Sequence, residues 1–120
     1  MDEFLSKVLK INPLHLLNYK DYFSTLHLDF SPYSIGRHVL FQDRDKEIVL
    51  RVWDSTPSDY HSHPSGGCMF KVLNGHINEE RNSTIYYHSI NDTVFTKDSH
   101  KVFPSQDCVT LHYYSNASIN

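Results

Sequence analysis

From Tyr33 onward the chain is a succession of short segments rich in β-branched and aromatic residues, each followed by polar turn residues. Five of these segments are predicted strands: GRHVLFQ, EIVLRVW, MFKVLNG, STIYYHS and CVTLHYYS. Many short strands in one small chain leave many unpaired edges, which barrel closure or face-to-face packing of sheets removes. The sequence therefore predicts a mainly β, antiparallel barrel or sandwich.

The first 30 residues follow a different pattern. Four apolar residues recur at helical spacing: Phe4, Leu5, Val8 and Leu9. Asn12 followed by Pro13 is typical of the start of a second helix. We therefore expect a helical segment over residues 1–30 and a β-barrel over residues 33–115. At 120 residues the chain has room for one core, so we expect a single domain, 1–120.

Charge and composition exclude several classes of partner. The formal net charge is −3, and the clustered basic face that binding to nucleic acid requires is missing. No apolar run approaches the roughly 20 residues that cross a membrane, and the start MDEFL does not resemble a signal peptide. Only two cysteines occur, Cys68 and Cys108, which argues against a disulfide framework. We expect a cytoplasmic protein that binds neither nucleic acid nor membrane.

A pair of histidines suggests a metal site. If residues 60–63 are extended, His61 and His63 project from one face, so their ring nitrogens can converge on one ion. A third ligand has to come from elsewhere, and His100 in the β-like segment DSHKVFP can supply it. The chain contains nine histidines, so such a pair also arises by chance, and each histidine alone can be merely solvated or hydrogen-bonded.

The run from the histidine pair to the following glycine resembles a known motif. His61-x-His63-x4-Cys68-x6-Gly75 resembles the first motif of the cupin superfamily, with cysteine where many cupins carry a glutamate ligand. This resemblance implies a cupin-type antiparallel β-barrel, or jelly roll, with short N-terminal helices. Three neutral imidazole ligands would leave the full charge of a divalent ion uncompensated, which favours an anionic substrate ligand such as a thiolate.

Further residues, in the same order along the chain, are similar to those of cysteine dioxygenase, a thiol dioxygenase family within the cupins. Cys68 matches the family's cysteine that forms a thioether crosslink with a tyrosine, and Tyr114 matches that tyrosine. Thr110, His112 and Tyr114 alternate in TLHYYS and resemble the family's Ser-x-His-x-Tyr arrangement. The resemblance extends from about residue 33 to residue 115.

Three more positions complete the resemblance. His100 matches the third iron histidine, and Trp53 matches a tryptophan that precedes the histidine pair. Arg37 in IGRHV matches the arginine that binds the substrate carboxylate. A planar guanidinium suits this task because it can donate two parallel hydrogen bonds.

The resemblance implies an Fe(II)- and O2-dependent thiol dioxygenase that oxidises L-cysteine to cysteine sulfinic acid. Fe(II) and a Cys–Tyr thioether are the implied cofactors, and L-cysteine and O2 the implied partners. Arg37 would bind substrate, Tyr114 would donate a hydrogen bond during catalysis with His112 orienting its hydroxyl, and Cys68 would form the crosslink with Tyr114. The implied iron ligands are His61, His63 and His100.

Alternatives remain open from the sequence alone. The substrate could be another small thiol such as 3-mercaptopropionate, or the chain could be a cupin that binds metal and a small ligand without catalysis. A structural zinc site with Cys68 as fourth ligand is also chemically reasonable. Arg37 could be a surface cation, whereas Cys68, Tyr114, Trp53 and Thr110 could simply pack in the core.

Overall fold

In the part of the chain that the structure describes, three short helical segments precede the strands. The computed structural model describes residues 3–58, 60, 61, 63 and 66–117. The helical segments are α1 (Glu3–Val8), a 3-10 helix (Pro13–Tyr19) and α2 (Lys20–Ser24). The predicted helix start at Asn12 is confirmed, because its side chain accepts a hydrogen bond from the Leu14 backbone N–H at 3.0 Å. None of the helices in the described residues combines the length and the apolar composition that a membrane-spanning helix requires.

Eight strands follow within the residues that the structure describes, and all of their pairings are antiparallel. The five segments predicted from the sequence all form strands, whereas β4 and β6 were not predicted. The mainly β, antiparallel architecture with N-terminal helices is therefore confirmed, and the assignment of 1–120 to a single domain stays a prediction. The strands are β1 (Gly36–Gln42), β2 (Lys46–Val52), β3 (Cys68–Asn74), β4 (His76–Arg81), β5 (Thr84–Ser89), β6 (Thr93–Thr96), β7 (Lys101–Pro104) and β8 (Val109–Ser115).

The strands form two sheets that pack face to face. One has five strands in the order β1-β2-β8-β3-β6, and the other has three in the order β5-β4-β7. One core cluster contains residues of both sheets: Phe70 and Val72 on β3, Ile77 on β4 and Val102 on β7. This cluster lies between the sheets, and it also contains Cys68. The inner faces of the two sheets therefore supply the walls of the site described below.

The N-terminal helical segments cover the outer face of the five-stranded sheet. Leu111 and Tyr113 alternate with the inward-facing residues of β8, and they share a buried cluster with apolar side chains of the helices. The Tyr113 hydroxyl donates a hydrogen bond to the Ile11 carbonyl at 3.0 Å. The Lys71 ammonium donates to the Ser24 carbonyl at 2.6 Å, at the end of α2. This cover leaves the opposite face of β8 available to the site.

The turn between β3 and β4 depends on Gly75, the last residue of the cupin-like motif. Its φ of +69° lies in the left-handed region of the backbone that residues other than glycine rarely adopt. A Cβ at this position would also lie 3.0 Å from the Cα of Cys108. Both the backbone conformation and the close approach therefore favour glycine here.

Candidate metal centre

The three histidines predicted as metal ligands lie together. The Nε2 atom of His100 lies 2.9 Å from Nε2 of His61 and 3.1 Å from Nε2 of His63. One ligand atom from each of the three residues lies within 4.8 Å of the others. The cluster could hold a metal ion.

A single backbone pairing brings this cluster together from distant parts of the sequence. His61 and His100 form an isolated antiparallel bridge, in which each backbone N–H donates to the other's carbonyl at 3.0 Å. Residues directly opposite in such a pair have neighbouring side chains. Of the stretch predicted to be extended, His61 lies in this bridge, His63 joins the same cluster, and Ser62 lies outside the described residues.

The donor set fits a divalent transition-metal ion. Two imidazole nitrogens that each lie about 2.1 Å from one ion at a right angle are about 3.0 Å apart, which is the spacing found here. Burial, followed by the neighbouring charges of His100 and His61, lowers the pKa of His63 to about 4. His63 is therefore neutral at pH 7, in the form that binds metals.

A buried glutamate, which the sequence did not indicate, supports His100. Glu79 on β4 is fully buried, and its carboxylate accepts hydrogen bonds from His100 Nδ1 at 2.5 Å and from His88 Nε2 at 3.0 Å. Burial alone would raise the pKa of Glu79, but these hydrogen bonds and the charge of Arg81 lower it to about 2. Glu79 was missed because β4 was not predicted, so its polar sequence NEER gave no reason to place one carboxylate inside.

Cys68 and Tyr114 lie on the wall of the cavity that the five-stranded sheet forms. They are direct partners in the antiparallel pairing of β3 and β8, so their side chains share the inner face. Burial raises the pKa of the Cys68 thiol and also that of the Tyr114 hydroxyl. Both groups are therefore protonated at neutral pH. The predicted neighbours are brought together beside the histidine cluster, in one cavity.

A chain of hydrogen bonds leads from Trp53 to Tyr114. The Trp53 indole N–H donates to Thr110 Oγ1 at 2.9 Å, and Thr110 Oγ1 lies 2.6 Å from His112 Nε2. His112 Nδ1 in turn lies 3.3 Å from the Tyr114 hydroxyl. Burial, and then the charge of Arg51, lowers the pKa of His112 well below its usual value. His112 is therefore a neutral hydrogen-bonding group.

The predicted substrate-binding arginine lies outside the cavity. Arg37 on β1 is exposed and forms an ion pair with Glu47. Its partner across β1 and β2 is Arg51, which lines the cavity together with the histidines. The Arg51 guanidinium lies 4.1 Å from the centre of the Trp53 ring. Within the described residues, no carboxylate forms an ion pair with Arg51.

Sequence reasoning missed Arg51, although it contained one relevant indication. Arg51 stands two residues before Trp53 in a predicted strand, so the two side chains had to share a face.

The cavity also tests the zinc alternative. Within the described part of the chain, the cluster of candidate ligands consists of the three histidines, and Cys68 does not belong to it. This separation argues against a tetrahedral zinc site with Cys68 as fourth ligand.

Comparison with known proteins identifies the architecture. No family model matches the chain, and no curated protein matches it. A cupin-2 domain containing protein from Shewanella frigidimarina is 15% identical, with a TM-score of 0.58 over 82% of this chain and 92% of that chain. An RmlC-like cupin from Desulfovibrio desulfuricans is 15% identical, with a TM-score of 0.59 over 75% and 90%.

A third structure is similar to the same extent. A cupin superfamily protein from Desulfitobacterium hafniense is 13% identical, with a TM-score of 0.63 over 81% of this chain and 87% of that chain. Identities at this level show the fold and carry no activity from one protein to another. The chain thus has the jelly-roll fold of the cupins.

Proposed function

We propose that this chain is an Fe(II)- and O2-dependent thiol dioxygenase that oxidises L-cysteine to cysteine sulfinic acid. The main support is the lining of one cavity, which combines three histidines with the Cys68–Tyr114 pair and the half-buried Arg51. In the reaction both oxygen atoms pass to the substrate sulfur, which loses the four electrons that O2 gains.

The metal would be held by His61, His63 and His100. When bound, the ion supplies coordination positions for the substrate thiolate and for O2. Three neutral ligands leave its positive charge available to an anionic sulfur. Holding the two reactants in adjacent positions contributes to the rate because the reaction no longer depends on their encounter in solution.

Arg51 binds the substrate carboxylate in this proposal. Its guanidinium is half-buried, packs against the Trp53 ring and lacks a carboxylate partner among the described residues. A guanidinium held in this way can donate two parallel hydrogen bonds to a carboxylate. The sequence resemblance gave this role to Arg37, whose charge is already paired with Glu47 at the rim. We therefore place the carboxylate on Arg51, with Arg37 adding a more distant positive charge.

Tyr114 donates a hydrogen bond into the cavity. The indole nitrogen of Trp53 is only a donor, so the Thr110 hydroxyl accepts from it and in turn donates a hydrogen bond to His112 Nε2. His112 then donates from Nδ1 to the Tyr114 oxygen. This direction leaves the Tyr114 proton free to be donated to the reacting oxygen or sulfur.

The first experiment measures oxygen consumption by protein that has been loaded with Fe(II) anaerobically. L-cysteine and 3-mercaptopropionate are supplied in parallel, and the sulfinate products are quantified. One O2 consumed per cysteine sulfinate formed is the expected result, and His100→Ala, which removes a ligand, serves as the inactive control. A higher rate with 3-mercaptopropionate than with L-cysteine would assign that thiol as the substrate. Bound iron without oxygen uptake would instead support a cupin that binds metal without catalysis.

A further inference from the structure

We propose that Glu79 is a positioning residue of the metal centre, which fixes the ring of His100 and supplies a buried negative charge on the side of that ring remote from the metal position. The inference rests on the metal site within the proposed function. It concerns a residue that lies on the three-stranded sheet, away from the Cys68–Tyr114 wall.

The fold places the Glu79 carboxylate in the buried space between the two sheets. Glu79 is on β4, the central strand of its sheet, two residues after Ile77 and therefore on the same strand face, and Ile77 lines the cavity. Among the residues that the structure describes, Glu79 is the one acidic side chain that is buried. An ionised carboxylate is costly to bury unless it is paired and hydrogen-bonded.

Its hydrogen bonds determine which nitrogen of His100 can bind a metal. An ionised carboxylate only accepts hydrogen bonds, so the contact at 2.5 Å requires the proton on His100 Nδ1. The lone pair of His100 Nε2 is then free, and it faces His61 Nε2 and His63 Nε2. Glu79 therefore selects the tautomer of His100 that can act as a ligand and limits the rotation of its ring.

The charge of Glu79 matters because the ligands carry none. A negative charge beyond the His100 ring makes the imidazole a stronger donor and stabilises the more oxidised state of the ion. The other Glu79 oxygen accepts from His88 at 3.0 Å and lies 3.1 Å from Arg81 Nε. These contacts hold the carboxylate on the side remote from the metal, and they also allow a purely structural role that an experiment has to separate.

Two variants separate the roles. Glu79→Gln keeps the shape and removes the charge, whereas His88→Gln disturbs the same network and leaves the charge of Glu79 beside His100. Affinity for Zn(II) is measured by competition with a chromophoric chelator, and the midpoint potential of bound iron by anaerobic titration. We expect Glu79→Gln to weaken Zn(II) binding about 10- to 100-fold and His88→Gln to weaken it less than about threefold. We also expect the midpoint potential to rise in Glu79→Gln alone.

The outcomes distinguish this inference from the proposed function. Unchanged affinity and potential in Glu79→Gln would overturn the inference, and so would equal losses in both variants. If Glu79→Gln weakens Zn(II) binding as expected but the wild-type protein consumes no oxygen with either thiol, the inference is supported and the proposed dioxygenase function is contradicted. Should Glu79→Gln fail to fold, nitrogen NMR of the metal-free wild-type protein decides, because a proton on His100 Nε2 instead of Nδ1 contradicts the proposal.

Discussion

Cys68 and Tyr114 face each other as direct cross-strand partners between β3 and β8. Opposite residues of an antiparallel pair have Cβ atoms about 5 Å apart, so the thiol can reach the tyrosine ring without any rearrangement of the sheet. The same pairing places both side chains beside the histidine cluster. A covalent bond between them would therefore join two strands that already hold each other in register.

Aerobic turnover is expected to produce the Cys68–Tyr114 thioether. Formation of the bond removes the thiol hydrogen and one ring hydrogen, with two electrons passing to O2. Mass spectrometry of iron-loaded protein treated with L-cysteine should show a species lighter by two hydrogens. Cys68→Ser abolishes this species and Cys108→Ser, which changes the other buried cysteine, retains it. Persistence of the lighter species in Cys68→Ser would contradict the assignment.

Replacing Tyr114 by Phe should lower kcat by at least about tenfold, because the hydrogen-bond donor is lost. Iron content should stay unchanged, since no metal ligand is altered. Tyr113→Phe is a matched control on the adjacent residue. The Tyr113 hydroxyl bonds to Ile11 under the helical cover, so its loss costs about 1 kcal/mol of stability and leaves kcat intact. Equal kcat in the two variants would remove the catalytic role of Tyr114.

The sequence indicated which residues share the inner face of β8, whereas it did not indicate which arginine lines the cavity. Alternation along a strand assigns Thr110, His112 and Tyr114 to one face without any tertiary information. The choice between Arg37 and Arg51 depends on which side chain Glu47 neutralises and which one Trp53 covers. Those contacts are made across strands and by side-chain packing, which no local pattern specifies.

The candidate metal centre likewise combines residues that the sequence indicated with one that it did not. The spacing of His61 and His63 predicts a shared ion, and His100 was offered as the third ligand from its β-like segment before the family resemblance gave it the same role. The bridge that brings His100 to His61 joins segments 39 residues apart, and Glu79 became relevant only because β4 turns it inward. Long-range pairings and buried polar partners therefore had to come from the structure.

Thr110→Val should interrupt the hydrogen bonds that run from Trp53 to Tyr114. The buried Trp53 N–H and His112 Nε2 would both lose their partner, at a cost of about 1–3 kcal/mol in the free energy of unfolding. kcat should fall as well, because His112 is no longer held against Tyr114. Thr110→Ser keeps the hydroxyl and is expected to retain both properties. Urea unfolding measures the change in stability and steady-state kinetics the change in kcat. A wild-type kcat in Thr110→Val would show that the chain of hydrogen bonds from Trp53 to Tyr114 does not contribute to catalysis.

Arg51→Gln is expected to raise KM for L-cysteine at least about tenfold, whereas Arg37→Gln should change it less. Cysteamine, which lacks the carboxylate, provides the second comparison. If Arg51 acts on that carboxylate, Arg51→Gln should leave unaffected whatever oxygen consumption the wild-type protein shows with cysteamine. A larger effect of Arg37→Gln would return the binding role to Arg37, and parallel losses with both thiols would indicate a general disturbance of the cavity.

Stability should fall in alkaline solution because groups that deprotonate in the unfolded chain are buried in the folded one. Burial, and then the charge of Asp107, raises the pKa of Cys108 to about 12, from an ordinary value of 9.0. Between these two values the folded chain binds a proton that the unfolded chain has lost, so the free energy of unfolding decreases as the pH rises.

The contribution of Cys108 is fully present below its unfolded pKa and is lost progressively up to about pH 12, with an upper limit of about 4 kcal/mol. Tyr113, whose pKa burial also raises, acts in the same direction. Urea unfolding of the reduced, metal-free protein between about pH 8 and pH 11 measures the slope. Cys108→Ala should be less stable at the lower pH because it leaves a small cavity, yet its stability should fall less steeply. An identical slope in the variant would show that the Cys108 thiol does not titrate on unfolding.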